Sequence, residues 1–302
     1  MGGAIGGSCR LCFLSSGGFA CGNVLVRVGT QKVPAPTAAL LTVLSGVVLV
    51  GGLALILNLE DIKSLSLESM GWIVLLGIMG YPMARLLLVS GISMVGASRA
   101  VPMSGIQPVI AFTLGVILLD ERPNLLIILG TPIIVSGLFL VVMPRHGTSS
   151  AGQVVQIRRL GYLLALGGAA TFATRDVISR HVVSTISDPL VTSGLALAVG
   201  GAILTVLLHR QVIRSIRTLP RNYLLICTLA GLFQGLAVAS LFQALSRAPV
   251  TVVSPIYACT PVITLILAHT FLRRMETIDF LVVAGTMLSV VGVILVIFGA
   301  TG

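Results

Sequence analysis

Residues Phe19 to Arg27 read FACGNVLVR, and residues Phe172 to Arg180, 153 positions further along the chain, read FATRDVISR. Phenylalanine, alanine, valine and arginine stand at the same places in both segments. Self-similarity at a fixed offset indicates an internal repeat, and a repeat determines architecture before any local feature does. The two segments therefore predict that the chain is a duplication.

Two further matches follow in the same order along the chain. Residues 102–110 (PMSGIQPVI) recur at the same offset as residues 255–263 (PIYACTPVI). Near the end of each half, residues 130–141 (GTPIIVSGLFLV) match residues 285–296 (GTMLSVVGVILV) at both glycines and four other positions. Three collinear matches indicate a tandem duplication that covers the chain from end to end.

The composition indicates what surrounds the folded chain. Of its 302 residues, 56% are apolar and only 9% are charged, and the mean hydropathy is +1.09; an ordinary soluble domain has about 25% charged residues. A soluble protein of this size needs a charged surface that this chain cannot supply, so we expect lipid around it. This excludes a soluble enzyme, a DNA-binding domain and a large extramembrane module, and no nucleic-acid partner is expected.

Ten apolar runs, separated by proline, glycine or charge, lie five in each half. They cover residues 9–28, 36–57, 71–91, 98–119, 124–143, 160–180, 189–208, 222–244, 250–272 and 278–299. At about 20 residues per crossing, each run is long enough to span a bilayer. We predict an all-α integral membrane fold of ten transmembrane helices, with a five-helix repeat at residues 1–143, a linker at 144–159 and a second five-helix repeat at 160–302.

An odd number of helices in each repeat has a mechanical consequence. The second repeat must enter the bilayer upside down relative to the first, so the two repeats are inverted. Inverted repeats that meet at a pseudo-two-fold axis in the membrane plane are the architecture of secondary transporters, which bind substrate near the midplane between the halves. The symmetry of the sequence therefore predicts alternating access.

Several segments resemble the EamA-type repeat of the drug/metabolite transporter superfamily in its fourth-helix region. In the first half they are residues 91–100 (GISMVGASRA), 107–109 (QPV) and 119–123 (LDERP), and in the second half residues 244–255 (ALSRAPVTVVSP), 260–262 (TPV) and 272–276 (LRRME). The resemblance implies a ten-helix carrier from a family that includes exporters of amino acids and other metabolites. More distant relatives carry nucleotide sugars and phosphorylated sugars. Because Arg274 and Met275 depart from the usual Gly-Glu pattern, Glu276 is not assigned the local role of Glu121.

We predict a secondary transporter for a small polar metabolite, favouring an amino-acid-like substrate and export, in the plasma or inner membrane. The alternatives are an exchanger or facilitator of organic anions, nucleotide-sugar-like or drug-like substrates, or a passive channel. The sequence lacks HExxH, GxSxG, DDxxD and P-loop motifs, so no enzyme activity, cofactor or metal is expected. The expected partners are a small-molecule substrate, membrane lipid and a candidate coupled proton, and the chain is expected to be a monomer.

The side of the membrane on which the termini lie is left open. Loops on the side opposite the termini contain more arginine and lysine than loops on the terminal side. The positive-inside rule then places the termini outside. The family resemblance implies cytoplasmic termini instead.

Asp176 is the single acidic residue in the interior of a predicted span, and the other eight lie in or beside predicted loops. Because a charge inside a bilayer costs several kcal/mol, such a residue is a functional candidate. Arg175 lies beside it, whereas the equivalent residues of the first half are Gly22 and Asn23, so the charged pair breaks the internal symmetry. Arg175, Asp176 and Asn23 are therefore candidate substrate-binding residues, and Asp176 is the carboxylate able to carry a coupled proton. In the alternative, Arg175 extends toward the helix end and Asp176 pairs with a neighbouring arginine.

Arg85 lies in the third span and has no cationic counterpart in the second half. A guanidinium that faces a cavity could hold a substrate carboxylate or phosphate, because it presents a planar fork of donors. The alternative is again that Arg85 extends toward the interface. Further candidate substrate-binding residues at membrane depth are Gln107, Gln234, Tyr81 and Tyr257. Each alone is more typical of a helix contact, but together they predict a moderately polar cavity.

Four prolines occupy the fourth span of the two halves: Pro102, Pro108, Pro255 and Pro261. Each removes a backbone donor and leaves a carbonyl without its helical partner. We therefore expect kinked helices whose free carbonyls face protein or cavity rather than lipid. These prolines are candidate hinges, with a static kink as the alternative.

Overall fold

The computed structural model describes residues 2–95, 106–142, 159–216, 219–271 and 280–301, and no strand occurs among them. In the first half, the helices are α1 (Gly2–Gly29), α2 (Ala35–Gly46, continued by the π-helical turn Val47–Gly51 and by Gly52–Leu57), α3 (Leu59–Lys63), α4 (Leu67–Ile78, continued by the π-helical turn Met79–Met83 and by Ala84–Val95), α5 (Gln107–Leu118) and α6 (Leu125–Val142).

In the second half, the helices are α7 (Arg159–Thr185), α8 (Pro189–Ile216), α9 (Arg221–Arg247), α10 (Val250–Tyr257), α11 (Thr260–Phe271) and α12 (Phe280–Thr301). Within the described residues, six helices are long and apolar enough to cross a membrane, and shorter apolar helices accompany them. The all-helical membrane fold expected from the apolar runs is therefore confirmed for the described residues.

The second long helix of each half begins at a proline that recurs along the chain. Pro36 is the second residue of α2, and Pro189 is the first residue of α8. Proline suits the first turn of a helix because its missing N–H has no intrahelical partner there. At α8 the carboxylate of Asp188 also accepts hydrogen bonds from the backbone N–H groups of Leu190 (2.8 Å) and Val191 (3.2 Å). These local signals fix where the helices begin.

One predicted span is divided in two. The apolar run at residues 250–272 forms α10 and α11, which are separated at Ala258 and Cys259. Pro261 lies in the first turn of α11, where it cannot continue a helix from α10. The sequence predicted a kinked helix at this point, and the structure has a break. The predicted linker 144–159 lies outside the described residues except for Arg159, which begins α7.

The last helices of the two halves, α6 and α12, pack closely through glycines. A side chain at Gly130 would meet the carbonyl of Gly292 at 2.8 Å, and one at Gly137 would meet the carbonyl of Gly285 at 2.6 Å. The sequence match pairs Gly130 with Gly285 and Gly137 with Gly292, so exchanging the two halves converts one contact into the other. Such reciprocity is the property of a two-fold interface.

The other helix contacts between the halves also occur in pairs that are interchanged when the two halves are exchanged. Helix α1 packs along α9, and the equivalent pair is α7 with the second part of α4. The second long helices, α2 and α8, pack against each other. Large apolar side chains such as Val48, Ile117 and Met287 are exposed on the outside, where lipid replaces water. The two halves therefore bury their shared surface at the centre of the molecule.

Candidate functional site

A cavity of about 130 Å³ lies between the two halves. Each half contributes several helices to its wall: α1, α2, α4 and α5 from the first, and α7 to α10 from the second. The lining residues are Phe19, Thr42, Val43, Gly80, Tyr81, Arg85, Gln107, Phe172, Arg175, Leu197, Gln234, Gly235, Val238 and Tyr257. Six of the predicted site residues are among them.

The cavity wall contributed by α7 contains a buried ion pair. Arg175 and Asp176 are only 6% and 3% exposed. Arg175 Nε donates to Asp176 Oδ1 at 3.1 Å, and Arg175 Nη2 pairs with the same oxygen. The other carboxylate oxygen, Oδ2, accepts a hydrogen bond from Gln107 Nε2 of the first half at 3.1 Å. Both carboxylate oxygens are thus satisfied, as a buried charge requires.

Arg175 fits against α4 because Gly80 leaves room for its side chain. A Cβ at Gly80 would lie 2.8 Å from Arg175 Cδ, closer than side-chain atoms pack. Gly80 belongs to the π-helical turn Met79–Met83, which also contains Pro82; such turns occur frequently at functional sites. The Arg175 guanidinium carbon also lies 5.5 Å from the centre of the Phe172 ring. Arg175 is therefore held at the cavity and does not extend toward the helix end.

Arg85 lies one helical turn after Tyr81 on α4 and also lines the cavity. Among the residues that the structure describes, none forms an ion pair or hydrogen bond with the Arg85 guanidinium. Asp176 is paired with Arg175, so the three charged residues Arg85, Arg175 and Asp176 leave one positive charge in excess. The arrangement can bind the carboxylate or phosphate group of a ligand.

Aromatic side chains complete the wall. Tyr81 packs against Gly200 of α8, where a Cβ would lie 2.5 Å from the ring. Phe19 meets Tyr257 edge to face, with ring centres 5.5 Å apart. Phe19 and Phe172 are the repeated phenylalanines of the duplicated motif, and both line the cavity. They give a polar ligand apolar surfaces on two sides.

Asn23 and Asp176 are the two predicted substrate-binding residues that do not line the cavity, and Asn23 is exposed. Its Oδ1 accepts a hydrogen bond of 3.3 Å from Nε2 of Gln234, which lines the cavity. Asn23 and Asp176 therefore each hold a glutamine of the opposite half, Gln234 and Gln107 respectively. Each of the two residues therefore contacts a side chain that lines the cavity.

Three of the four predicted hinge prolines lie within the described residues, and each of these is near a helix end. Pro108 is the second residue of α5, next to Gln107, and Pro255 lies inside α10, two residues before Tyr257. Pro261 lies in the first turn of α11, and Pro102 lies outside the described residues. Helix ends expose backbone groups that lack intrahelical partners. The hinge role of these prolines stays a prediction.

Several residues of the site were absent from the sequence prediction. Phe19 and Phe172 could have been found, because they recur in the duplicated motif. Thr42, Gly80 and Leu197 carry no signal that separates them from ordinary helix residues. Within the described residues, no group of three histidine, cysteine, aspartate or glutamate side chains could hold a metal ion.

Comparison with known proteins identifies the family. The model of the EamA-like transporter family matches residues 8–143 and again residues 159–298, which confirms the resemblance found in the sequence. No curated protein sequence matches the chain. A solved structure described only as the crystal structure of a protein has the same fold, with a TM-score of 0.75, 17% identity and coverage of 97% of each chain.

The family consists of transporters and not of enzymes, so the small-molecule partner of this chain is cargo. The apolar helices make it a multi-pass integral membrane protein in contact with lipid. With both halves matched, the chain is a membrane transporter of small substrates that belongs to the EamA-like transporter family.

Proposed function

We propose that the chain is a secondary transporter that moves a small polar metabolite bearing a carboxylate, with Arg85 as the ligand for that group. The observation that carries the proposal is the Arg85 guanidinium, which lines the cavity with no partner among the described residues. A charge at membrane depth is costly, and this cost is offset when a substrate anion binds to it. The Arg175–Asp176 pair supplies further polar contacts beside it.

The cavity volume favours a small substrate. At about 130 Å³, the cavity is smaller than the roughly 300–1,000 Å³ that drug-sized ligands occupy. A nucleotide sugar or a multi-ring drug does not fit this volume, whereas an amino-acid-like metabolite does. We therefore favour an amino-acid-like substrate. We further propose that a monomer exports it across the plasma or inner membrane.

The proposed mechanism is alternating access between inverted repeats. The glycine contacts of α6 with α12, and the equivalent pairs α1–α9 and α7–α4, support a pseudo-two-fold relation between residues 1–143 and 160–302. We propose ten transmembrane helices, five in each repeat, with residues 144–159 as the linker. Exchanging the conformations of the halves then moves the cavity opening from one side to the other.

Proton coupling is assigned to Asp176. Protonation of this carboxylate removes its attraction to Arg175, so a proton and the ion pair compete for the same oxygens. Release of Arg175 adds a second free cation to the cavity beside Arg85. Proton binding at Asp176 thereby changes the charge that the cavity presents to the substrate, which couples the two.

A second candidate is an exchanger of small organic anions. The excess positive charge of Arg85, Arg175 and Asp176 favours it, because an anion without an ammonium group neutralises that charge completely. The two candidates differ in whether the substrate carries a positively charged ammonium group in addition to its carboxylate. Competition between an amino acid and the matching monocarboxylate distinguishes them.

The test is substrate counterflow in proteoliposomes with a neutral amino acid, a monocarboxylate, a sugar phosphate and an organic cation. Arg85→Gln should raise the KM for carboxylates roughly tenfold to a hundredfold, since a hydrogen bond to a charged group contributes about 1.5–3 kcal/mol. The KM of Arg85→Lys should lie between those of the unchanged chain and Arg85→Gln, because lysine keeps the positive charge and lacks the planar fork of donors. Arg122→Gln, at an exposed loop arginine, is the matched control.

Saturable transport of the organic cation alone, or an unchanged KM in Arg85→Gln, would contradict the proposal. The coupling is tested in the same vesicles with Asp176→Asn. This variant should lose uptake driven by a pH gradient and retain counterflow. If the pH gradient still drives uptake, Asp176 does not carry the proton.

A further inference from the structure

Glu121, in the loop after α5, holds the beginning of a helix from the opposite half. Its Oε1 accepts a hydrogen bond from the backbone N–H of Val250 at 2.8 Å, and its Oε2 accepts one from Thr251 at 2.9 Å. These are the first two residues of α10, where backbone N–H groups have no intrahelical acceptor. Glu121 therefore caps α10 across 129 residues of sequence.

The backbone around Glu121 is shaped for this contact. Asp120 has φ 51°, in the left-handed region that non-glycine residues rarely adopt. The turn that it makes ends α5 and returns the N–H of Glu121 to the carbonyl of Gly115 at 3.3 Å. An unfavourable conformation persists when the surrounding contacts outweigh it. The two hydrogen bonds to α10 are such contacts.

Arg180 makes the complementary contact on the other side of the same turn. Its Nη1 donates to the carbonyl of Leu245, in the last turn of α9. Residues 248–249 alone separate α9 from α10. The turn therefore has a cation at the C-terminus of one helix and an anion at the N-terminus of the next, the signs that the two helix dipoles favour.

The position of these contacts relative to the cavity suggests their use. Helix α5 begins at Gln107, which lines the cavity, and ends before Glu121. Helix α10 runs the opposite way, from Val250 beside Glu121 to Tyr257, which lines the cavity. The two helices pack together, and Gly115 lies against Val250 and Thr251. One wall of the cavity thus joins the two halves, and its distal end is fastened by Glu121.

We propose that Glu121 and Arg180 form a clasp that keeps the cavity closed at this end of the molecule and that opens in each transport cycle. Glu121 joins the loop after α5 of the first half to α10 of the second half. Arg180, on α7, holds the end of α9 within the second half and attracts Glu121 across the boundary between the halves. Separation of the halves at this end breaks the hydrogen bonds from Val250 and Thr251. This inference rests on the proposed alternating access, and it identifies Glu121 and Arg180 as positioning residues that set the balance between the two states.

The test measures the opening directly in the full chain. Spin labels are placed at positions 122 and 247, both exposed and on either side of the clasp, in a background whose other cysteines are replaced. Glu121→Ala should increase the ratio of open to closed distances about tenfold, equivalent to roughly 1.4 kcal/mol, the scale of a lost helix cap. Glu121→Gln should give a smaller increase, because its amide oxygen can still accept one N–H group.

Glu68→Gln is the matched control, since Glu68 is an exposed carboxylate in the first turn of its own helix, α4. It should leave the distances unchanged. The clasp is overturned if Glu121→Ala, Glu121→Gln and Arg180→Gln all give the distance distribution of the Glu68→Gln control. Thermal melting verifies that each variant is folded. If Glu121→Ala does not fold, Glu121→Gln still provides the test.

The distance measurement needs no transported substrate, so it separates this inference from the proposed function. If substitution of Glu121 changes the distances but the protein does not transport carboxylates, the clasp is supported and the proposed carboxylate substrate is refuted. Carboxylate transport with distances insensitive to Glu121 and Arg180 refutes the clasp alone. In transport assays, a weakened clasp should change the turnover number more than the KM, because neither residue lines the cavity.

Discussion

The first helices of the two halves, α1 and α7, contain the same motif and differ in what it does. In α1 the motif includes Gly22 and Asn23, and Asn23 is exposed beside Gln234. In α7 the equivalent residues are Arg175 and Asp176, which form an ion pair that is almost completely buried. Both halves keep the first helix and the helix that packs along it, but only the motif of the second half contains the charged pair.

The packing shows how one backbone arrangement accepts both versions. In the α1–α9 contact, a Cβ at Gly22 would lie 2.5 Å from Gln234 Cγ; in the equivalent α7–α4 contact, a Cβ at Gly80 would lie 2.8 Å from Arg175 Cδ. The glycine is on the first helix in one contact and on its partner in the other. A small residue opposite a large one satisfies either interface, so symmetry of the fold does not require symmetry of the site.

The largest effect is expected from the charged pair. Arg175→Ala leaves Asp176 buried without its cation, and removal of one partner of a buried ion pair typically costs about 3–5 kcal/mol. Asn23→Ala, at the exposed position equivalent to Asp176, should cost less than about 1 kcal/mol. Denaturant unfolding in detergent or bilayers measures both. Substrate transport should be lost in Arg175→Ala and retained in Asn23→Ala.

A double variant provides the control for this difference. Arg175→Gln with Asp176→Asn removes both charges together, so it should recover most of the stability that either single change loses. Equal destabilisation by Arg175→Ala and Asn23→Ala would mean that the pair in α7 is not held as a buried unit. The asymmetry between the two helices would then be incidental to the fold.

An intermediate effect is expected at the two glycines. Gly80→Ala forces Arg175 to move, and insertion of a methyl group into a packed contact costs about 1–3 kcal/mol. Gly22→Ala forces Gln234 to move at a similar cost. Gly80→Ala should also raise the KM, because it displaces a charged cavity residue. Unfolding and counterflow measurements separate the two effects.

Both glycine variants have matched controls in the same helices. A Cβ at Gly71 of α4 or at Gly17 of α1 would have no neighbouring atom within 4 Å, so replacement of either glycine by alanine should be neutral or slightly stabilising. The combination Gly22→Ala with Gln234→Ala should recover stability, since the opposing side chain is shortened. If Gly80→Ala behaves like Gly71→Ala, Arg175 does not depend on the space at Gly80.

The smallest effect is expected at the repeated phenylalanines. Phe172→Leu removes the ring beside the Arg175 guanidinium, and Phe19→Leu removes the edge contact with Tyr257. Such contacts contribute about 0.5–1.5 kcal/mol each, so the KM should change roughly two- to tenfold in either variant. A change of KM confined to Phe172→Leu would show that the second half, which contains the Arg175–Asp176 pair, dominates substrate binding. A loss of transport in Phe19→Leu would show the reverse.

Much of the fold could be predicted from the sequence because its signals are local. Apolar runs bounded by proline, glycine and charge predicted the first residues of α2 and α8 to within one residue. The break between α10 and α11 was missed, because proline in an apolar run indicates a disturbed helix without showing whether it bends or ends. The neighbouring Ala258 and Cys259 carry no turn signal.

The candidate site was predicted in part for a different physical reason. Polar side chains are rare in apolar spans, so Arg85, Gln107 and Asp176 could be singled out by type alone. Their partners could not be, since the bond from Gln107 to Asp176 joins residues 69 positions apart. The contact of Glu121 with α10 could not be predicted either, since it joins residues 129 positions apart.

The sequence by itself determined that this chain is duplicated, surrounded by lipid and helical, because hydropathy and internal repetition are properties of the chain read in order. The tertiary structure decided which polar groups meet, how large the cavity is and which helix end Glu121 caps. Those outcomes depend on which faces of the helices pack together, and close packing is settled by the shapes of side chains distant in sequence, such as Gly80 against Arg175.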